Sequence, residues 1–384
     1  VGSWLIYEYL ERATPEQQRQ MEQAIADDLV AWHAAPFTTH TELMDARLFR
    51  FGLSLSQELD RRYGKQTISA KMTDVPGHTR AMIPLLAEAG VRFFHVGVNP
   101  AATVPDVPPV FIWRDPASAT EVLMMYQQVY GDVMILPGTS EAVALVFTGD
   151  NLGPPSSDSV RATYAHLREQ FPNATFVGST LDAVARSILD ARPELPVITS
   201  EIGDTWIHGI GTDPTKVGRY RELLRLRESW IGEGRIEPTL LGRMQRALLM
   251  IPEHTWGMDL KTHLRDYEHY STAALAQKRD DPVFRAFEAS WTEQRAYVDD
   301  AINALEGSPL KAEAQTALRD LTPRRPELSA YQPTSETHFE TDRWSIVIDR
   351  AAGAIARLED KSSGRVLAES GRPLGLFTYE TFST

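Results

Sequence analysis

The sequence has no cysteine, no long apolar run and no excess of basic residues. Without cysteine the chain forms neither a disulfide framework nor a cysteine metal site, so any metal must be held by His, Asp or Glu. No segment approaches the roughly 18–20 apolar residues that a membrane-spanning helix needs. The net charge of −13, with no strongly basic block, argues against nucleic acid as a partner.

The remaining composition is typical of a globular protein with more than one domain. A chain of 384 residues exceeds one ordinary core, so two or three domains are expected, and 42% hydrophobic residues argue against disorder. The chain begins without methionine on the strand-like VGSWLIYEYL and stops on the strand-like PLGLFTYETFST. We therefore expect truncation at both ends, and such a start indicates neither a signal peptide nor a compartment.

Residues 1–212 alternate strand-like runs with amphipathic helices. The helix TPEQQRQMEQAIADDLVAWH opens with Thr14 as N-cap and Pro15 at the first helical position. The strand candidates are KQTISAKM, VRFFHVG, PVFIWRD, DVMILPG, AVALVFTGD, ATFVGS and PVITSEIGD. This alternation predicts a parallel sheet, open or closed.

The pattern changes twice after residue 212. Residues 213–322 carry apolar residues at three- and four-residue spacing and predict a helical bundle. Residues 323–337, TPRRPELSAYQPTSE and its neighbours, predict a linker because they are polar and rich in proline. Residues 338–384 predict the first strands of a β domain, with a hairpin at the SSG turn.

Four stretches place ionisable groups where strands or helices end. In AKMTDVPGHTRAM, Asp74 and His78 flank a Pro-Gly turn between a strand and a helix, which in a β/α barrel is the rim where active sites are built. Asp74 could equally cap the helix that follows. The other stretches are LVFTGDNLGPPS with Asp150, ITSEIGDTWIHGIGTDP with Glu201, Asp204, Trp206 and His208, and MIPEHTWGMD with Glu253, His254 and Trp256.

Two further stretches add candidates: PFTTHTELMD contains His40 and FIWRD contains Trp113 and Arg114. Carboxylate pairs on a barrel rim favour glycoside hydrolysis, in which one acid attacks or stabilises while the other donates a proton. Tryptophans beside carboxylates are suited to packing against the faces of sugar rings, although such tryptophans are more often core residues.

The order of these motifs resembles glycoside hydrolase family 38, the zinc-dependent α-mannosidases, and more closely an uncharacterised bacterial branch related to them. The family's nucleophile lies in an Asp-Pro-Phe-Gly-His turn, which Asp74-Val75-Pro76-Gly77-His78 matches at Asp, Gly and His. Looser matches are Gly149-Asp150-Asn151-Leu152 to the stretch of the second acid, Glu253-His254-Thr255 to a His-His-Asp zinc stretch, and Trp113-Arg114 to a Trp-Arg pair.

This resemblance implies an α/β fold: an incomplete seven-stranded β/α barrel, then a helical bundle and the start of a β-sandwich. It implies Asp74 as nucleophile and zinc ligand, Asp150 as general acid and base, and His254 as a zinc ligand. The residues implied in carbohydrate binding are His40, His78, Trp113, Arg114, Asp204, Trp206 and His208; His78 more specifically supports the turn by hydrogen bonding.

The implied zinc site is incomplete in this sequence. The family's site begins with a His-x-Asp motif on the first barrel strand, no such motif precedes Asp74, and VGSWLIYEYL reads as the second strand. We therefore expect two further Zn²⁺ ligands upstream of residue 1. Asp74 and His254 alone would hold zinc weakly or not at all, so the chain as it stands is expected to be inactive.

The leading hypothesis is a retaining, metal-assisted glycosidase that acts on α-mannoside-like sugars. Two alternatives stay open. One is a metal-dependent deacetylase-type hydrolase that uses metal-bound water. The other is a carbohydrate-binding relative without catalytic activity.

Overall fold

The computed structural model describes residues 1–146, 153–207, 213–266, 268–269 and 271–378. The chain forms two compact units, Val1–Thr322 and Pro323–Thr384. The first is a mixed α/β structure around a mainly parallel sheet, and the second holds a separate antiparallel sheet. Within these described stretches, no helix is both long and apolar enough to cross a bilayer.

The main sheet of the first unit is built from β1 (Ser69–Asp74), β2 (Phe93–Val98), β3 (Val110–Asp115), β4 (Thr120–Gln128) and β7 (Val197–Ile198). Their order across the sheet is β1-β2-β4-β3-β7. Neighbouring strands run parallel except β3 and β4, which run antiparallel. In the part of the chain that is described, this sheet is open, and the seven-stranded barrel stays a prediction.

Twelve α-helices are described. They are α1 (Ser3–Arg12), α2 (Pro15–Ala26), α3 (Ala46–Tyr63), α4 (Met82–Glu88), α5 (Ser157–Gln170), α6 (Leu181–Ala191), α7 (Pro214–Gly232), α8 (Pro238–Met250), α9 (Leu260–His263), α10 (Thr272–Lys278), α11 (Pro282–Asn303) and α12 (Pro309–Asp320). The predicted start of α2 is confirmed, because Thr14 caps it and Pro15 is its first residue.

Helices cover both faces of the sheet, as strands that are apolar on both faces require. On one face Phe94 and Met124 share a core with residues of α3 and α4. On the other face Phe93 and Met125 share a core with residues of α6. A third core joins α7, α8, α11 and α12 to α3, for example through Leu48. The helices predicted for residues 213–322 are therefore present, while a domain boundary at residue 212 stays a prediction.

The second unit contains β8 (His338–Glu340), β9 (Trp344–Asp349), β10 (Ala354–Asp360) and β11 (Arg365–Ala368). They form an antiparallel sheet in the order β11-β10-β9-β8. The hairpin predicted at the SSG turn is confirmed, because β10 and β11 pair across it. A β-sandwich around this sheet stays a prediction.

Several predicted strands are corrected by the structure. VGSWLIYEYL is not a barrel strand but leads into helix α1, because Ser3, Ile6 and Leu10 bury one helical stripe. ATFVGS forms no strand. The runs DVMILPG and AVALVFTGD contribute β5 (Val133–Ile135) and β6 (Ala142–Ala144), which form a two-stranded antiparallel sheet with each other in the described part of the chain. Strand β4 was not predicted.

Candidate active site

Asp74 lies at the end of β1, where the chain turns towards the Pro-Gly bend. Its φ is +81°, in the left-handed region that few residues other than glycine, asparagine and aspartate adopt. Asn99, which follows β2, forms two hydrogen bonds with Asp74. The Asn99 backbone N–H donates to the Asp74 carbonyl at 3.0 Å, and Asn99 Nδ2 donates to Asp74 Oδ1 at 2.8 Å. The carboxylate is thus fixed at the carboxyl end of the parallel strands, where ligands of α/β folds bind.

A turn after β4 supports this arrangement. Asn99 Nδ2 also donates to the Tyr130 hydroxyl at 2.9 Å. Val129, Tyr130 and Gly131 all have positive φ, an unusual and strained conformation for the β-branched Val129. Gly97 permits the turn to lie on β2, because a Cβ there would overlap the Tyr130 backbone. Asn99 and Tyr130 are not among the site residues predicted from the sequence.

His254 reaches Asp74 from the segment after α8. Its Nε2 lies 3.1 Å from Asp74 Oδ2, and its Nδ1 lies 2.6 Å from Glu253 Oε1. The segment is fastened to the chain that precedes α3: the His254 N–H donates to the Thr38 carbonyl at 3.2 Å, and Glu253 forms a β-bridge with Thr39. The imidazole is therefore held between two carboxylates.

The charges of the trio formed by Asp74, Glu253 and His254 stabilise one another. Burial lowers the pKa of His254, but the hydrogen bonds and negative charges of Asp74 and Glu253 outweigh it and raise the pKa to about 9. Burial raises the pKa of Asp74, but hydrogen bonds from His254 and Asn99 outweigh it, and that pKa is lowered. At neutral pH Asp74 is therefore an oriented carboxylate beside an imidazolium.

His40 and Asp204 form a fully buried pair behind the trio. His40 Nδ1 lies 2.6 Å from Asp204 Oδ2, and the Trp256 indole N–H donates to His40 Nε2 at 2.9 Å. Because an indole nitrogen only donates, His40 Nε2 must be the acceptor, which places the proton of a neutral His40 on Nδ1, facing Asp204. Trp256 follows His254 by two residues, so this pair anchors the segment that carries His254. Both predicted sugar ligands thus lie beneath the surface.

His78 is buried in the turn after Asp74. Its backbone N–H donates to the Ile202 carbonyl at 2.5 Å, and its ring contacts Thr41 Oγ1 at 3.3 Å through Nδ1. Burial lowers the pKa of His78 to about 4, so its ring is neutral. A Cβ on Gly77 would overlap the Ile202 and Gly203 carbonyl oxygens, which explains why the turn contains glycine. These contacts fit the role of supporting the turn by hydrogen bonding.

Three other predicted site residues form hydrogen bonds with residues other than Asp74, Glu253 and His254. Trp113 is fully buried in the sheet core and donates to the Ser200 carbonyl at 3.0 Å. Arg114 pairs at 2.7 Å with Glu121 across β3 and β4. Trp206 is partly exposed, and its backbone N–H donates to Asp204 Oδ1 at 2.8 Å. Asp150 and His208 lie outside the described residues.

Asp74 and His254 match part of a metal site in their chemistry. One oxygen and one imidazole nitrogen converge, and Glu253 holds the far side of the imidazole as second-sphere carboxylates do in zinc sites. Zinc needs three or four protein ligands. Among the residues that are described, no group of three or more His, Asp or Glu is arranged to hold a metal ion. The pair alone is therefore not a complete zinc site.

Comparisons with known proteins give a partial match in sequence and a broader one in fold. The model of a domain of unknown function, DUF5054, matches residues 210–384. No curated protein matches the sequence.

Among the solved structures that resemble the chain are two from Enterococcus faecalis. An alpha-mannosidase from Enterococcus faecalis V583 has a TM-score of 0.51 and 14% identity, over 83% of this chain and 37% of that one. A glycosyl hydrolase family 38 protein from Enterococcus faecalis has a TM-score of 0.43 and 12% identity, over 83% of this chain and 35% of that one. The chain thus spans little more than a third of the length of these proteins, and what it shares with the alpha-mannosidase is the fold.

Proposed function

We propose that this protein is a retaining glycosidase of α-mannoside-like sugars and that Asp74 is its nucleophile. The observation that carries the proposal is the fixed Asp74 carboxylate at the strand ends, ionised and oriented by Asn99 and His254. A nucleophile of this class must be deprotonated and held in place before the sugar arrives. The fold likeness to an alpha-mannosidase is compatible with this role.

The proposed reaction has two displacements. In the first, an Asp74 oxygen bonds to the anomeric carbon while the bond to the leaving oxygen breaks and a general acid protonates that oxygen. In the second, the same group, now a base, takes a proton from water, and the water oxygen displaces Asp74. We assign the acid and base role to Asp150.

In this proposal the residues around Asp74 keep its carboxylate ionised and fix its orientation. Asn99 donates to one carboxylate oxygen and His254 faces the other, so the attacking oxygen is restricted to a narrow set of positions. Restricting a nucleophile before reaction lowers the entropic part of the barrier. Trp206, partly exposed beside the buried Asp204, is the aromatic residue that we assign to the sugar face.

Asp74 and His254, the latter after losing its Nε2 proton, would hold a bound Zn²⁺ together with further ligands, and the ion would supply positive charge for substrate hydroxyls. The described residues offer two of the donors, fewer than zinc requires. No step above therefore depends on the metal. Zinc remains part of the proposal, to be tested by metal analysis of the purified protein.

The test is hydrolysis of an aryl α-mannoside by the protein produced from its complete gene, with and without added zinc, followed by NMR of the first-formed sugar. The proposal expects release of the α-anomer, the product of retention. Release of acetate from N-acetylated sugars without glycoside cleavage would support a deacetylase instead. Sugar binding without turnover would support a carbohydrate-binding protein. Either result overturns the proposal.

A further inference from the structure

The hydroxyl of Tyr130, in the turn after β4, lies beside the carboxylate of Asp74. The backbone N–H of Tyr130 donates to the Val98 carbonyl at 3.1 Å, which fastens the turn to the last residue of β2. The following residue, Asn99, reaches both side chains. Its Nδ2 lies 2.8 Å from Asp74 Oδ1 and 2.9 Å from the Tyr130 hydroxyl oxygen. The ends of β1, β2 and β4 therefore bring a tyrosine hydroxyl to the proposed nucleophile.

The hydrogen bonds of Asn99 fix which group donates to which. Asn99 Oδ1 accepts from the Ala101 backbone N–H at 3.0 Å, so the amide nitrogen is the atom that faces Asp74 and Tyr130. This nitrogen has two protons, one for each partner, and the Tyr130 oxygen is an acceptor towards Asn99. The Tyr130 side chain also forms a hydrogen bond with the Asp74 side chain. Because a carboxylate only accepts, the proton in that hydrogen bond belongs to Tyr130.

The Asp74 carboxylate thus accepts from three side chains, Asn99, His254 and Tyr130. The two oxygens of a carboxylate offer about four lone-pair positions in all. Three donors take up most of them, so the anomeric carbon of a sugar can approach the carboxylate from few directions. Tyr130 therefore has an effect on orientation, and its proton also responds to the charge of Asp74.

We propose that Tyr130 is a further catalytic residue, one that promotes the second displacement rather than the first; its role rests on the proposed function. In the first displacement Asp74 gives an electron pair to the anomeric carbon and loses its negative charge, so the hydrogen bond from Tyr130 weakens. In the second, water oxygen bonds to that carbon and its proton goes to the general base. The bond between sugar and Asp74 breaks, its electron pair returns to the carboxylate, and the hydrogen bond strengthens. A hydrogen bond that strengthens in the transition state lowers the barrier.

Trapping with a fluorinated α-mannosyl fluoride measures the two displacements separately on the protein from the complete gene. The rate at which Asp74 gains the label reports the first displacement, and the rate at which it loses the label after removal of the reagent reports the second. Tyr130→Phe keeps the ring and removes the hydroxyl. It should lose the label about tenfold or more slowly than the parent protein, the effect of one hydrogen bond to a charged group. It should gain the label at the same rate or faster.

Tyr126→Phe is the matched control, because the Tyr126 hydroxyl donates to the Pro76 carbonyl at 2.5 Å, in the turn that follows Asp74. Its loss should change both rates by a similar factor. If Tyr130→Phe loses the label at the parent rate, or if its labelling slows as much as its loss, the role of Tyr130 is overturned while Asp74 remains the nucleophile. A parent protein that gains no label on Asp74 would overturn the proposed function and the role of Tyr130 with it.

Discussion

The imidazole of His254 lies 3.1 Å from the carboxylate of Asp74, although the two residues are 180 positions apart. Asp74 belongs to the central sheet and His254 to the segment that follows α8, so this contact joins the sheet to the helical part of the first unit. The contact also sets the charge of both groups, since an imidazolium and a carboxylate stabilise each other.

The His254 pKa predicts how stability changes with alkaline pH. In the folded chain that pKa is about 9, against about 6.5 for an unfolded histidine. The folded state therefore holds an extra proton between these values, and its stabilising effect is complete below pH 6.5 and lost as the pH rises through about 9. We expect the melting temperature of the chelator-treated protein to fall between pH 7 and pH 8.

His254→Gln should remove this fall, whereas His166→Gln, on the exposed helix α5, should keep it. The range ends at pH 8 because Lys71 and Lys216, whose pKa values burial lowers to about 8, act in the opposite direction above it. A fall that persists unchanged in His254→Gln would show that another group causes it.

The packing around Gly77 predicts that alanine substitutions at Gly77 and at the spatially close Gly203 change the stability by very different amounts. A Cβ at Gly77 would overlap the Ile202 and Gly203 carbonyl oxygens, whereas a Cβ at Gly203 meets no atom within 4 Å. Gly77→Ala should therefore displace the turn that carries Asp74 and destabilise the protein by several kcal/mol, on the scale of backbone clashes in cores. Gly203→Ala should change the free energy of unfolding by less than about 1 kcal/mol. Urea unfolding of both variants measures this, and equal effects would contradict the packing.

The hydrogen bond from Trp256 to His40 predicts how much stability is lost when one buried hydrogen bond is removed. Trp256→Phe keeps an aromatic ring but leaves His40 Nε2 without its donor, and an unsatisfied buried acceptor costs about 1–3 kcal/mol. Trp291→Phe is the control, because Trp291 is 42% exposed and lies in the same unit. Chemical unfolding should separate the two variants by that amount. If they unfold alike, the pair of His40 and Asp204 does not anchor this segment.

The main helices and strands are predictable from the sequence where the apolar pattern is simple. The prediction fails where two patterns overlap. The N-terminal VGSWLIYEYL is apolar enough to read as a strand, yet it bears Ile6 and Leu10 at helical spacing and folds as α1. Strand β4 was missed because six of its nine residues are buried in succession, so the alternation that marks a half-exposed strand is absent.

The candidate site was predictable only in part for a different reason. Asp74 and His254 lie close to proline or glycine residues that follow a strand or a helix, and such positions can be recognised in the sequence. Asn99 has only the weak signal of an asparagine before proline at a strand end, and Tyr130 acquires its position from a left-handed turn that residue types do not specify. His40 and Asp204 are recognisable as polar groups near strand ends, but their pairing with each other and the contact of His40 with Trp256 join residues that are distant in sequence.

The most direct measurement of the central claim is covalent trapping with a fluorinated α-mannosyl fluoride, which slows the second displacement, followed by peptide mapping. The protein from the complete gene should gain the mass of one fluorosugar, and the modified peptide should carry it on Asp74. Asp74→Asn should gain none and keep its fold, because asparagine also adopts the left-handed conformation found there. Asp158→Asn, on the exposed helix α5, should be labelled like the parent protein. A label on another residue, or on Asp74→Asn, would contradict the assignment.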